Sequence, residues 1–142
     1  DGKRADLIAG SELICFPIVS FYSSLMANLL PRGMAGAIRA NPCAKVYVPN
    51  TVPDPETYGM TLSEQIGRLV DRLGRESEGA GSPGDPLDFV MVDRQNGAYA
   101  GGIDDGELET MGIKTIDCRL ITRESAPLID EKQLTTALFS LV

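Results

Sequence analysis

The chain has no histidine, only three cysteines, few aromatic residues and no excess of positive charge. Each shortage removes a class of function. Without histidine, neither a Ser-His-Asp nucleophile nor a His-based zinc centre can be built from this chain. Three cysteines, odd in number and widely spaced at positions 15, 43 and 118, form neither a disulfide framework nor a metal knuckle. They read as buried thiols of a reducing compartment. Thirteen Lys and Arg against twenty Asp and Glu give a net charge of -7. That balance argues against a nucleic-acid footprint, which needs a basic face. No apolar run is long enough to span a membrane and no signal peptide is evident, so the expected compartment is the cytoplasm.

What remains is a chain of 142 residues with 43% apolar content, enough for one domain with a real core. Four short, nearly continuous apolar segments read as strands covered on both faces: Leu13 to Phe16, Lys45 to Val48, Leu87 to Val92 and Lys114 to Cys118. Helical patterns alternate with them. One runs from Phe21 to Leu30 and is interrupted at Gly33, with a shorter piece over Met34 to Arg39. The clearest spans Leu62 to Arg75, where Leu62, Ile66, Leu69, Val70 and Leu73 form an apolar stripe. Thr61 and Glu64 make a capping box at its start, and Glu64–Arg68 and Asp71–Arg75 are favourable pairs one turn apart. An acidic helix over Gly106 to Met111 stops at Gly112, and a last helix starts near Asp130. This order predicts an α/β fold, a mostly parallel sheet with helices on both faces in a Rossmann-like three-layer arrangement. Asp1 to Ala9 reads as the end of a helix, and no glycine-rich turn precedes Leu13, so the expectation is the C-terminal part of a longer protein.

In such folds ligands sit at the carboxyl edge of the strands, and the polar residues after each predicted strand are the candidates. After the first come Pro17 and then Ser20, Tyr22, Ser23 and Ser24, where hydroxyls and free helix-start N–H groups attract anions. Helix capping and ordinary turn serines explain the same residues. Ile18 and Val19 are not glycines, and Val19 cannot readily bring its backbone close to a phosphate. After the second strand come Asn50 and Thr51, then a proline-stiffened loop with Asp54 and Glu56. Asn50 suits an amide, hydroxyl or base edge. Asp54 and Glu56 can hold a sugar hydroxyl or Mg²⁺, or belong to a solvated acidic loop. After the third strand come Asp93, Arg94 and Asn96, expected at the same crevice. Arg94 offers a planar fork to phosphate or carboxylate, or is a surface arginine. Tyr99 can pack on a planar ligand or anchor its loop. Near the fourth strand, Arg119 can pair with the neighbourhood of Asp117 or with the acidic helix.

The segments FYSSLMANLL, AKVYVPN with its proline-and-acid loop, the Gly-Met-Thr helix start and LDFVMVDRQNG resemble, in order and spacing, the C-terminal half of the 2-phospho-L-lactate transferase/gluconeogenesis-factor family, the CofD-like proteins. The resemblance implies a nucleotide- or nucleotide-sugar-binding protein. In the transferase branch it implies transfer of a phospholactyl group from a guanylylated donor to a deazaflavin precursor, with Mg²⁺. The other branch is one of regulators without a firmly assigned reaction. The family's Gly-Pro-Gly-Ser turn falls on Pro17-Ile18-Val19-Ser20, keeping the serine and losing both glycines, while its asparagine falls on Asn50 and its acidic loop on Asp54 and Glu56. Three readings follow. The first is a binder of a nucleotide or other phosphorylated small molecule, a transferase when intact. The second is a catalytically inactive regulatory or interaction module. The third is a sheet fragment that pairs with a missing N-terminal segment or forms a homo-oligomer.

Overall fold

The computed structural model describes residues 2–16, 34–53, 55–74 and 87–142. In chain order they form α1 (Gly2–Ala9), β1 (Leu13–Phe16), α2 (Met34–Ala40), β2 (Ala44–Tyr47), a 3-10 turn (Pro55–Thr57), α3 (Leu62–Gly74), β3 (Phe89–Val92), α4 (Asp105–Thr110), β4 (Lys114–Asp117) and α5 (Glu131–Phe139). The four predicted strands are present, with β2 starting one residue earlier and β3 two residues later than the apolar runs. The predicted helix over 21–30 and the residues Ser20, Tyr22, Ser23, Ser24 and Asp54 lie outside the described residues.

The strands pair in parallel in the order β1-β2-β3-β4. Leu13 lies opposite Ala44, Val46 opposite Phe89, and Phe89 opposite Lys114. Strands added always to the same side, with crossovers of one hand, must carry their connecting helices on one face. The side chains agree. Ile38 of α2, Leu62, Ile66, Leu69 and Leu73 of α3, and Leu108 of α4 share one core with Phe16, Tyr47, Val90 and Val92. The alternate strand residues Val46, Val48 and Met91 face the other way, toward Leu134, Ala137 and Leu138 of α5. Among the described residues, helices therefore lie on both faces, α1 to α4 on one and α5 on the other.

The two faces differ in how completely they are closed. Ile66, Leu69 and Leu73 have no exposed surface, and burying each contributes about 2 kcal/mol. On the second face, α5 buries none of its residues fully, and Phe139 stays 73% exposed.

Local signals explain the helix ends. The capping box forms as predicted: the Thr61 N–H donates to Glu64 Oε2 at 3.0 Å, and the Glu64 N–H donates to Thr61 Oγ1 at 3.1 Å. The Glu64 carboxylate thus turns back to the helix start instead of pairing with Arg68. Asp104 and Asp130 cap α4 and α5, and Gly112 ends α4 at φ 77°. At the amino edge of the sheet, Asn41 Nδ2 donates to the carbonyls of Ile8, Ala9 and Ser11, fixing the entry to β1. The buried Lys45 ammonium donates to the carbonyls of Asn41 and Cys43, neutralising the negative end of α2.

Candidate functional site

Two loops leave the carboxyl edge side by side. The one after β2 carries Asn50, Val52 and Pro53, continues through the 3-10 turn, and reaches α3 by way of Gly59 at φ 83°. The one after β3 runs from Asp93 to Ile103. Between them opens a cleft of about 980 Å³, large enough for a small organic ligand. Its walls are mostly apolar: Val52, Pro53, Pro55 and Tyr58 on one side, Ala98, Tyr99 and Ile103 on the other. Tyr58 is 94% exposed, an unburied ring standing at the cleft. Asn50, Gln65 and Arg94 supply polar contacts.

The wall formed by the β3 loop depends on Asp93. Its side chain is buried, 2% exposed, yet charged. Oδ2 accepts from the N–H groups of Leu120 and Ile121, both at 3.0 Å, while Oδ1 accepts from the Asn96 N–H at 3.1 Å. The Asn96 side-chain amide also donates to both oxygens at 3.2 Å. Burial opposes the charge, but the Ile121, Leu120 and Asn96 donors outweigh it and hold this carboxyl below the usual aspartate range. Asp93 therefore fastens its own turn to the loop after β4, and its lone pairs are occupied within the chain.

Tyr99 folds back over the same turn. Its hydroxyl accepts from the Asp93 N–H at 3.1 Å, and burial pushes the phenol pKa up. The ring lies so close to Gly97 that a Cβ there would meet Tyr99 Cε2 at 2.6 Å. Asn96-Gly97 reads as a turn in the sequence, but Gly97 does not have a positive φ. The glycine is needed to let the ring approach. Gly101 is different: it sits at φ 76° against Thr61 Cγ2.

Arg94 borders the cleft with its charge already matched. Its guanidinium pairs with Asp105 of α4 and lies 3.9 Å from Asp117 Oδ2, and the Arg94 backbone N–H donates to Asp117 Oδ1. Arg94, then Thr115, hold the exposed Asp105 carboxyl below its ordinary range. Arg94 thus takes the partners expected for Arg119. Thr51 is buried, donating through Oγ1 to the Pro127 carbonyl at 2.8 Å, while its carbonyl accepts from Ala98 N–H.

The predicted site residues consequently divide. Asn50 and Arg94 meet in the first cleft. Asp93 and Asn96 line a second one, at the ends of β3 and β4. Thr51 joins loops. Residues that the sequence reading left out, Tyr58 and Gln65 above all, complete the first cleft. The signal for Tyr58 was its place between a proline-rich loop and a capping box. Among the described lining residues of that cleft none is a carboxylate, and no group of three or more metal-ligating side chains occurs among the described residues. No helix among them is long and apolar enough to cross a membrane.

A family model described as 2-phospho-L-lactate transferase CofD matches residues 3–121. Among curated proteins, a "Putative gluconeogenesis factor" of Thermotoga maritima is 30% identical over 88 residues, covering 61% of this chain and 25% of that protein. One of the same description from Deinococcus radiodurans is 31% identical over 71 residues, covering 49% of this chain and 15% of its own length. The matched parts thus span a quarter or less of these curated relatives. A crystal structure of a upf0052 family member from Bacillus halodurans superposes with a TM-score of 0.76 at 21% identity, covering 96% of this chain and 46% of that one. That likeness establishes the parallel α/β fold.

Proposed function

This chain belongs to the 2-phospho-L-lactate transferase CofD family, and from that premise we propose that its first cleft binds the nucleoside end of a nucleotide or nucleotide-sugar. The observation that carries the reading is the pairing of an exposed aromatic ring, Tyr58, with two side-chain amides, Asn50 and Gln65, across an apolar cleft. A planar base has a face for the ring and an edge for amides, which both donate and accept. Arg94 is the only charged side chain among the described lining residues. It meets negative charge at the rim while sharing its guanidinium with Asp105 and Asp117. The phosphate-binding role is assigned to Ser20, which matches the serine of the family's cleft-lining turn, and to the neighbouring hydroxyls of Tyr22, Ser23 and Ser24 after the first strand.

Mg²⁺, which the family resemblance implies, takes oxygen ligands and usually one or two carboxylates beside substrate phosphates. The described lining residues do not supply such a set. Asp54 and Glu56 are the carboxylates of this loop with the right chemistry, and no step is assigned to the ion.

In the intact protein we assign this cleft to a phosphoryl-linked transfer, of the phospholactyl type, in which the chain positions its ligand. A regulatory binding role without transfer is the second reading. It is favoured by the lack of a carboxylate or histidine among the described lining residues, which leaves no evident general base there.

Isothermal titration of the full-length protein with GDP and with UDP-glucose, with and without Mg²⁺, tests the binding. Saturable heat is expected, with Tyr58→Ala weakening affinity at least about tenfold through lost stacking. No saturation at millimolar ligand, or equal affinity in the variant, refutes the reading. Phosphorus NMR with a guanylylated phospholactate donor and a deazaflavin alcohol acceptor added separates transfer from regulation: a new phosphodiester signal with release of GMP means turnover, and an intact bound donor means regulation.

A further inference from the structure

The second cleft, at the carboxyl ends of β3 and β4, has a volume of about 730 Å³ and is walled off from the first by the turn that begins at Asp93. We propose that it is a separate site for a small organic anion, held by the guanidinium groups of Arg119 and Arg123. Both arginines line the cleft and are exposed. Neither makes a hydrogen bond or ion pair within the described structure.

The carboxylates around them are already engaged. Asp93 has its oxygens filled by Leu120, Ile121 and Asn96, and Asp117 accepts from Arg94. The Cys118 thiol does not add a negative charge, because burial and then the charges of Asp117 and Asp93 push its pKa up. Two guanidinium groups without a partner among the described residues thus share the cleft with the carboxylates of Asp93 and Asp117, whose charges are held by backbone N–H groups and by Arg94, inside a chain whose net charge is -7. Beyond about 8 Å that global charge is largely screened at physiological salt.

The two arginines are also held in place. Leu120 and Ile121, between them, are buried, with their N–H groups anchored on Asp93. Arg123 sits in a turn closed by Thr122 and Ser125, which exchange bonds of 2.9 and 3.1 Å between backbone N–H and side-chain hydroxyl. Fixing the backbone at both positions lowers the ordering cost of binding. A planar guanidinium fork matches the oxygens of a carboxylate or phosphate, and two forks favour a dianion. Gln95, exposed on the facing wall, can read a hydroxyl or amide of the same molecule. The volume exceeds what inorganic phosphate fills, which points to an anionic head on a small carbon skeleton.

This inference stands independently of the nucleotide reading, and one experiment keeps them apart. The full-length protein is titrated with inorganic phosphate and, separately, with malonate, against chloride at equal ionic strength, and backbone amide NMR shifts are followed. Saturable shifts at Arg119–Arg123 and Gln95 with either probe are the expected result, and the stronger probe identifies the preferred head group. Arg119→Gln with Arg123→Gln should weaken binding at least about tenfold, whereas Tyr58→Ala should leave it unchanged. Both arginines are exposed, so the fold is not at risk, and thermal melting checks this. Protection of Arg119 and Arg123 from phenylglyoxal by the bound probe provides a readout on the unaltered chain. Failure of both probes to saturate, unchanged affinity in the double variant, or loss of binding in Tyr58→Ala overturns the proposal.

Discussion

Replacing Asp93 by asparagine isolates the bond system that joins the β3 and β4 loops. The side chain is 2% exposed, so water cannot substitute for what is lost. Its carboxylate accepts from the N–H groups of Leu120, Ile121 and Asn96 and from the Asn96 amide. Hydrogen bonds to a charged acceptor contribute about 1.5–3 kcal/mol each, against about 1 kcal/mol for neutral ones. An asparagine can keep its oxygen on Leu120 and Ile121 at reduced strength. It must then present its NH₂ to the Asn96 donors. Two weakened bonds and one opposed donor pair amount to about 3 kcal/mol, a large part of the roughly 5–15 kcal/mol that holds a domain together. Urea unfolding followed by circular dichroism at pH 7 measures it, with a melting temperature lower by roughly 10 °C. The folded carboxyl titrates below its unfolded value of about 3.9. Its stabilisation is therefore complete above that pH and lost as pH falls through the folded pKa. The gap between Asp93→Asn and the parent should accordingly close in acid. A difference within about 0.5 kcal/mol at pH 7, or a gap independent of pH, would refute the buried-clamp assignment.

Two further outcomes follow from single contacts. Gly97→Ala places a Cβ 2.6 Å from Tyr99 Cε2 and 2.9 Å from the Asp93 carbonyl. It should cost about 1–3 kcal/mol of stability and displace the Tyr99 ring, seen as lost near-ultraviolet tyrosine dichroism; an unchanged melt and spectrum would contradict the packing. Burial raises the Cys15 pKa to about 11, so at pH 8 its alkylation by iodoacetamide should run about a hundredfold slower than in urea-unfolded chain. Mass spectrometry of the alkylated peptides reads this, and equal rates would place the thiol at the surface.

The strands and α3 were legible because their signals are local and periodic. Four short apolar runs alternating with helical patterns fit strands covered on both sides, which holds for β2 and β3, whereas β4 at the sheet edge has no buried residue. The Leu62, Ile66, Leu69, Leu73 stripe with the Thr61–Glu64 box carries its own start signal and period. The site was legible only as an edge. Side chains that follow a strand's end obey no periodicity, so the division of Asn50 and Arg94 from Asp93 and Asn96 between two clefts leaves no mark in the sequence. Asp93 looks like a ligand contact because an aspartate after a parallel strand often is one. Its actual donors, Leu120 and Ile121, stand 27 and 28 residues further on. Lys45 shows the same limit at the opposite edge. Nothing at the head of a strand marks this lysine as buried, yet the carbonyls of Asn41 and Cys43, just after α2, hold it so.

The same non-local bonds determine how the two clefts relate. Ala98 N–H donates to the Thr51 carbonyl at 3.0 Å, Leu62 N–H to the Ala100 carbonyl at 2.9 Å, and Thr51 Oγ1 to the Pro127 carbonyl at 2.8 Å. With the Asp93 clamp, they tie the loops after β2, β3 and β4 into one rim. A ligand shifts a conformational equilibrium only by binding its states unequally. These bonds are complete without any ligand, so a ligand that rearranges the turn between the clefts must break them. A shared wall here makes the clefts neighbours without making them coupled. Communication between them requires the clamp itself to open, which makes Asp93 the structural condition for the rim that both clefts share.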